Sequence, residues 1–313
     1  MKVLVTGGAG YIGSACVKEL IKKGHEVVVV DNLSKGKKEL IDGAVKFYEI
    51  DLTNKDDLKK VFVENKIDAV IHFAAYKAVE ESMGDAVKYS DNITGTINLL
   101  NEMVKHDVKK IIFSSTAAVY GLIDVELVDE KTKTDPISFY GFTKLKIEEL
   151  CKWYKEIHGI EYLAFRYFNV AGDAGLKYVD PNAKNIFPII MDVINGNREK
   201  LTVFGTDYPT KDGTCVRDYI DINDLVDAHV LALDSDFSGI INLGSGEGYT
   251  VKELISEFKE ISGKDFVVEF GERRAGDVGI VLASNKLAKE VLGWVPKQGI
   301  KDMIQSTFDS YQG

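Results

Sequence analysis

Short runs of valine, isoleucine and leucine alternate along the chain with longer stretches in which apolar residues recur every three or four positions. The short runs are Lys2–Val5, Glu26–Val30, Ala69–Phe73, Lys110–Ser114 and Tyr162–Arg166. Their near-continuous apolar character fits strands buried on both faces. Between the first two lies Ile12 to Lys23, where Ile12, Cys16, Val17 and Leu20 fall on one side of a helix that Gly24 ends. Strand and helix in alternation predict an α/β fold of the Rossmann type, a doubly wound parallel sheet with helices on both faces.

Beyond about Val170 the pattern breaks into Gly, Asn, Asp and Pro clusters with shorter elements, which predicts a smaller C-terminal lobe on the carboxyl edge of the sheet. The patterns at Asp221–Leu233, helical, and Ile240–Leu243, extended, resemble those of the first half. We therefore expect a first domain over residues 1–170, joined by about 218–243, and a second lobe over 171–313. The charged run Asn54–Lys60 reads as a solvated helix face.

Composition narrows the class. The chain has 313 residues, 45% of them hydrophobic, enough for two lobes. Its formal net charge of -10 argues against nucleic-acid or anionic-membrane partners, so an anionic ligand must meet local basic groups or helix N-termini. Cys16, Cys151 and Cys215 are too scattered for a disulfide framework and read as small buried hydrophobes in a reducing compartment. The N-terminus enters a strand without the apolar segment of a signal peptide, and no run approaches the ~18 apolar residues of a membrane span. A cytoplasmic protein is expected. His25, His72, His106, His158 and His229 show no metal-ligand spacing, and no metal is expected.

The turn after the first strand reads Thr6-Gly7-Gly8-Ala9-Gly10-Tyr11-Ile12-Gly13. Glycines where a strand becomes a helix allow a tight turn and let backbone N–H groups and the helix N-terminus approach a pyrophosphate. Asp31 ends the second strand and is followed by Asn32-Leu33-Ser34. A carboxylate there accepts hydrogen bonds from a ribose diol and repels a 2′-phosphate, favouring NAD over NADP, although Lys35, Lys37 and Lys38 add positive charge nearby. Asp51-Leu52 and Phe73-Ala74-Ala75-Tyr76-Lys77 are further strand ends facing the same cleft, with Ala74 and Ala75 small enough for close backbone approach.

Tyr140-Gly141-Phe142-Thr143-Lys144 puts a phenol and an ammonium on one face if the segment is helical. A neighbouring positive charge is expected to lower the phenol's pKa and make Tyr140 a usable acid or base. The pair follows the strand Lys110–Ser114 and the loop Ser115-Thr116-Ala117-Ala118-Val119-Tyr120-Gly121.

With the glycine turn, this combination resembles the extended short-chain dehydrogenase/reductase family, whose catalytic group is a Ser or Thr hydroxyl, a Tyr and a Lys. The matching residues are Thr116, Tyr140 and Lys144, and threonine in place of the commoner serine keeps the hydroxyl. Within it the likeness to the UDP-glucose 4-epimerase branch runs nearly end to end, through Gly7–Gly13, Asp31–Ser34, His72–Lys77, Phe113–Gly121, Tyr140–Lys144, Arg166–Asn169, Asp207–Asp221 and Arg273–Asp277.

The resemblance implies that Gly7, Gly10, Tyr11, Ile12, Gly13, Asp31, Asn32 and Ser34 surround NAD. Asp51, Leu52, Phe73, Ala74, Ala75, Lys77, Asn92, Tyr140, Lys144 and Phe168 complete that set. A UDP-sugar would be met by Thr116, Tyr140, Phe168 and Asn169 at the sugar, with Val281 and Asp277 near it. Asn185, Thr202, Val203 and Phe204 would lie around the uridine, and Arg217 and Arg274 on the diphosphate. Phe204 is equally readable as core, Asn185 as a helix N-cap, and the two arginines as surface ion pairs.

The activity implied is inversion at C4 of a UDP-hexose through a 4-keto intermediate, UDP-galactose to UDP-glucose. An epimerase of another UDP-sugar, such as UDP-N-acetylglucosamine, is the rival reading, because in the family a large aromatic near Val281 narrows the sugar pocket. A dehydratase would need an Asp-Glu pair after the hydroxyl, where Ala117 and Ala118 stand, and a non-catalytic sensor would commonly lack the Tyr/Lys pair. The resemblance also implies a homodimer through helices around Asn92–His106 and Tyr140–His158.

Overall fold

The computed structural model describes residues 1–123, 125–179, 185–274 and 278–312. Seven parallel strands form its main sheet, in the spatial order Gly239–Leu243, Glu161–Tyr167, Lys110–Ser114, Ala69–His72, Lys2–Thr6, Glu26–Asp31, Lys46–Glu49. The five strands expected from the apolar runs are all present. Lys46–Glu49 was not anticipated, because an edge strand with only partly buried residues carries no continuous apolar run.

The chain builds outward from Lys2–Thr6 to Lys46–Glu49, then recrosses to lay Ala69–His72 on the other side of Lys2–Thr6. That reversal opens a crevice beyond the carboxyl ends of the two central strands, where doubly wound sheets bind ligands. Thr6 and His72, side by side in register, are bridged by a 2.6 Å bond from hydroxyl to imidazole Nδ1. The His72 Nε2 reaches Thr96 at 2.9 Å, pinning the helix Ala86–Lys105 to the crevice floor. Burial first, and the neighbouring Lys144 second, push the His72 pKa down to about 3, so the ring is a neutral strut.

Val3, Val5, Cys16, Leu20, Ile71, Phe165 and Leu243 share one core with Ile222, Leu225 and Trp294. The helix Ile222–Leu231 and strand Gly239–Leu243 thus pack on the first lobe, and the chain contributes to that core as late as Trp294, whose indole donates to the Asp224 carbonyl. Cys16, Cys151 and Cys215 are buried free thiols. The smaller lobe joins Gly248–Thr250, Val216–Asp221, Ile280–Ala283 and Leu127–Val128 in one sheet and Leu201–Phe204 with Val268–Gly271 in another. Its core is Phe187, Met191, Val203, Tyr219, Leu254, Phe258 and Met303. No helix among the described residues is long and apolar enough to cross a membrane.

Candidate active site

A cleft of about 540 Å3 lies over the crevice. The helix Tyr11–Lys22 begins directly after the glycine turn, so its unpaired first-turn N–H groups point into the cleft mouth. A side chain at Gly13 would place its Cβ 2.1 Å from the Gly7 carbonyl oxygen, so the turn closes this tightly only with hydrogen there. Opposite, the buried Asp31 carboxylate accepts from the Ala9 N–H at 3.0 Å and the Leu33 N–H at 2.8 Å, leaving lone pairs for a diol. Burial raises its pKa, and the two backbone bonds work against that rise.

Every residue expected around the cofactor lines this cleft except Phe168. Asn92 is in the wall with its amide clamped to the Tyr76 backbone, accepting from N–H at 2.8 Å and donating to C=O at 3.0 Å. Phe168 packs instead with Val119, Tyr120, Val128 and Val281 behind the catalytic loop. Sequence reasoning passed over Tyr178, which lies against the Tyr11 ring at 5.4 Å between centroids and lines the cleft. A tyrosine in an irregular loop gives no periodic signal by which to find it.

Tyr140 and Lys144 stand on the first two turns of the helix Phe139–His158, which Ser138 caps by accepting the Gly141 N–H. Gly141 lets this turn lie against the preceding loop: a Cβ there would come within 2.6 Å of the Ala118 carbonyl oxygen. Thr116 opens that loop as the N-cap of the short 3-10 turn Ala117–Tyr120, its hydroxyl accepting the Ala118 N–H at 3.2 Å and lying near enough to the Tyr140 phenol to favour the phenolate. The buried Lys144 Nζ donates to the Ser114 carbonyl at 2.7 Å and lies 4.8 Å from the Phe113 ring centroid. Ser114 also pairs through its hydroxyl with Tyr167, a second residue the sequence reading missed.

The electrostatics correct one expectation. Burial outweighs everything else at Tyr140 and holds its phenol up to about 12, with the Thr116 hydroxyl pulling the other way. Burial also brings Lys144 down to about 7, against the pull of Glu148. Lys144 therefore does not depress the phenol here: its ammonium is itself destabilised, and it points to the Ser114 carbonyl, 6.0 Å from the Tyr140 ring centroid.

The sugar-side residues are dispersed. Arg217 faces Val281 across paired strands and donates through Nη1 to the Val216 and Val278 carbonyls, both at 2.9 Å. The Arg274 guanidinium sits 4.9 Å from the centroid of Phe204, which is exposed, whereas Val203 is buried in the small-lobe core. Thr202 lies between Leu201 and Val203 on that strand. Asn185 caps Ile186–Ile194, accepting the Phe187 N–H at 2.9 Å, and Asn169 donates to the Asp218 carbonyl at 2.9 Å. Arg273 makes a surface ion pair with Asp207. Asp277 lies outside the described residues.

Residues 3–244 match the NAD dependent epimerase/dehydratase family. The chain belongs to that family. A UDP-glucose 4-epimerase of Streptococcus mutans is 45% identical to it over 319 residues, covering 98% of this chain and 96% of the relative. A crystal structure of a UDP-glucose 4-epimerase superposes with a TM-score of 0.97 at 43% identity, covering 100% of this chain and 98% of the other. The UDP-glucose-4-epimerase from Stenotrophomonas maltophila, solved with bound NAD and formylated UDP-arabinopyranose, gives 0.95 at 37% identity with the same coverage.

As an NAD dependent epimerase/dehydratase, the chain uses NAD as its cofactor, and the cleft fits that molecule on its own terms. The glycine cradle that a Cβ would fill suits a pyrophosphate, and the inward Asp31 carboxylate suits an unphosphorylated ribose diol. The half-buried Tyr140 and the buried Lys144 and Ser114 also line it.

Proposed function

We propose that the protein interconverts UDP-galactose and UDP-glucose by inverting C4 through a transient 4-keto sugar. The observation that carries this reading is the Tyr140 phenol together with the buried Lys144 ammonium in the wall of the glycine-turn cleft, with the Thr116 hydroxyl acting on the phenol. NAD bound there supplies the site that takes hydride from C4 and returns it, along with a positively charged ring. The rest falls to the protein's own side chains. Tyr140 removes the proton from the C4 hydroxyl and later gives it back, while Thr116 holds the same oxygen. A phenol with pKa near 12 is fully protonated in the free cleft, so Tyr140 becomes a base only when positive charge is set beside it. Lys144, which donates to the Ser114 carbonyl, would hold the ribose hydroxyls of bound NAD. Arg217 and Arg274 anchor the diphosphate, about which the keto sugar turns to present its other face.

A second reading is favoured by one feature. Val281 packs with Val119, Tyr120 and Phe168, where the resemblance would place a larger aromatic that narrows the sugar pocket. The supporting division of labour gives the cofactor to residues 1–170 with 218–243, and the UDP-sugar to the lobe over 171–313. We further propose a homodimer through the helices Ala86–Lys105 and Phe139–His158, which expose Val87, Trp153 and Ile157.

The test is conversion of UDP-galactose by purified protein without added cofactor, followed by proton NMR of the anomeric signals. UDP-glucose should form, and Tyr140→Phe should lower kcat by about 10²–10⁴-fold. Turnover at the wild-type rate in that variant would overturn Tyr140 as the acid/base. No conversion even with added NAD would overturn the substrate assignment.

A further inference from the structure

We propose that Glu148 is a positioning residue for C4 inversion, a buried carboxylate that binds the Thr116 loop, the Tyr140/Lys144 helix and the strand leading to Phe168 and Asn169 into one block. The proposal rests on the 4-epimerase reading above. Tyr140, Lys144 and Glu148 follow one another at single-turn intervals along Phe139–His158, on its buried side. Glu148 accepts from the Ser115 hydroxyl at 2.5 Å, and Ser115 is bonded in sequence to Thr116. It also takes both forks of Arg166, from Nε at 2.9 Å and from Nη2 at 2.5 Å. Both side chains of this pair are 3% exposed. Arg166 lies at the end of Glu161–Tyr167, two residues before Phe168.

A second layer fixes the arginine. Its guanidinium stacks 4.8 Å from the Tyr120 ring centroid, and the Tyr120 hydroxyl donates to the Asn242 side chain at 2.6 Å. Asn242 in turn donates to the Val128 carbonyl at 3.0 Å. The loop that carries Thr116 is thereby held at both ends, by Ser115 and by Tyr120.

An ion pair this deep contributes little to stability compared with apolar groups of the same shape, because desolvation offsets the attraction. Its placement matters more. Lys144 faces Tyr140, His72, the Phe113 ring and the Ser114 carbonyl, and Glu148 is the anion that favours its charged form against burial. Around Glu148 itself stand Arg166, Ser115, Cys151 and Tyr162. Without the carboxylate, Lys144 loses its proton at lower pH, and the cofactor would bind beside a neutral amine.

The experiment compares holoenzyme kcat and KM against pH for wild type, Glu148→Gln, the double variant Glu148→Gln/Arg166→Met, and Ser115→Ala, with thermal unfolding of each. In Glu148→Gln the alkaline limb of kcat should move to lower pH by about 1. The double variant, which removes both members of the Glu148–Arg166 pair and so leaves no orphaned arginine, should melt near wild type and still show that move. Ser115→Ala should lower kcat about three- to tenfold, the size of one hydrogen bond, with KM unchanged. A double variant with wild-type melting, wild-type kcat and an unmoved alkaline limb overturns the proposal, as does an unchanged kcat in Ser115→Ala for the Thr116 arm. If Glu148→Gln alone fails to fold, the double variant decides. Failure of wild type to turn over UDP-galactose would be seen in the same assay and would remove the 4-epimerase reading with everything built on it, an outcome distinct from an active wild type with unshifted variants.

Discussion

The walls of the cofactor cleft come largely from the strand ends of one parallel sheet and the helices beside them, whereas the residues we assign to the sugar nucleotide come from separated segments, most of them in the smaller lobe. On the first side the shape is made by backbone: Gly13 pressed to the Gly7 carbonyl, and Asp31 tied to two backbone N–H groups. On the second it is made by side chains already bonded within the protein, Arg217 to two carbonyls, Arg274 against Phe204, Asn185 to a helix end. On this assignment the cofactor side is preformed, while the proposed sugar side would exchange internal bonds for ligand bonds. The two sides should respond to substitution differently, the first to volume at a backbone contact and the second to side-chain size and charge.

The sharpest way to break this contrast is Gly13→Ala. A methyl 2.1 Å from the Gly7 oxygen cannot be absorbed by a flexible neighbour, because the obstacle is backbone in the turn itself. Such overpacking costs about 1–3 kcal/mol or more, and it falls on the cradle. The expected result is NAD affinity lower by about a hundredfold, measured by calorimetry on stripped protein, with UDP affinity within about twofold of wild type. Equal losses for both ligands would mean that the two sides are not built independently.

Legibility followed the same division. The parallel sheet, the glycine turn, Asp31, Asp51 and Ala74 were all readable, because strand runs and strand-to-helix turns leave local signals at fixed positions. Tyr140 and Lys144 were readable through their helical spacing. The sugar side was legible only through resemblance to a family, since Arg217 meets Val281, and Phe204 meets Gly271 and Arg274, across strand pairings and loops far apart in sequence. Phe204 shows the limit: its pattern is equally that of a core residue, and only the fold sets it outside, under Arg274. The direction of the Tyr140 shift was misread, because spacing reveals a neighbouring charge but not the desolvation that outweighs it.

That burial makes a smaller, pH-dependent prediction where the two sides meet. Lys144 has a pKa of about 7 in the folded free enzyme, below its ordinary value of 10.5, so between those values the unfolded chain binds the extra proton. Stability attributable to this site must then rise with pH through that window. Stripped wild type should gain about 2 kcal/mol relative to Lys144→Met between pH 7 and pH 9, read by urea unfolding at each pH. A difference that stays flat, or runs the other way, would show that Lys144 keeps its charge in the empty cleft and that the Ser114 carbonyl and Glu148 together outweigh burial.

The smallest effect is expected at Val281, on the side where side-chain size governs. Val281 stands in register with Arg217 and packs with Val119, Tyr120 and Phe168, so a larger residue there grows toward the sugar without touching the cofactor cradle. Val281→Tyr should reduce kcat/KM for UDP-N-acetylglucosamine relative to UDP-galactose by about tenfold, because discrimination by volume in a pocket is worth only about 1–3 kcal/mol. NAD retention should not change. An unaltered ratio would place the N-acetyl group elsewhere in the lobe. A loss of NAD would instead mean that Phe168, which touches this cluster, couples the sugar side to the cofactor wall from which it is otherwise separate.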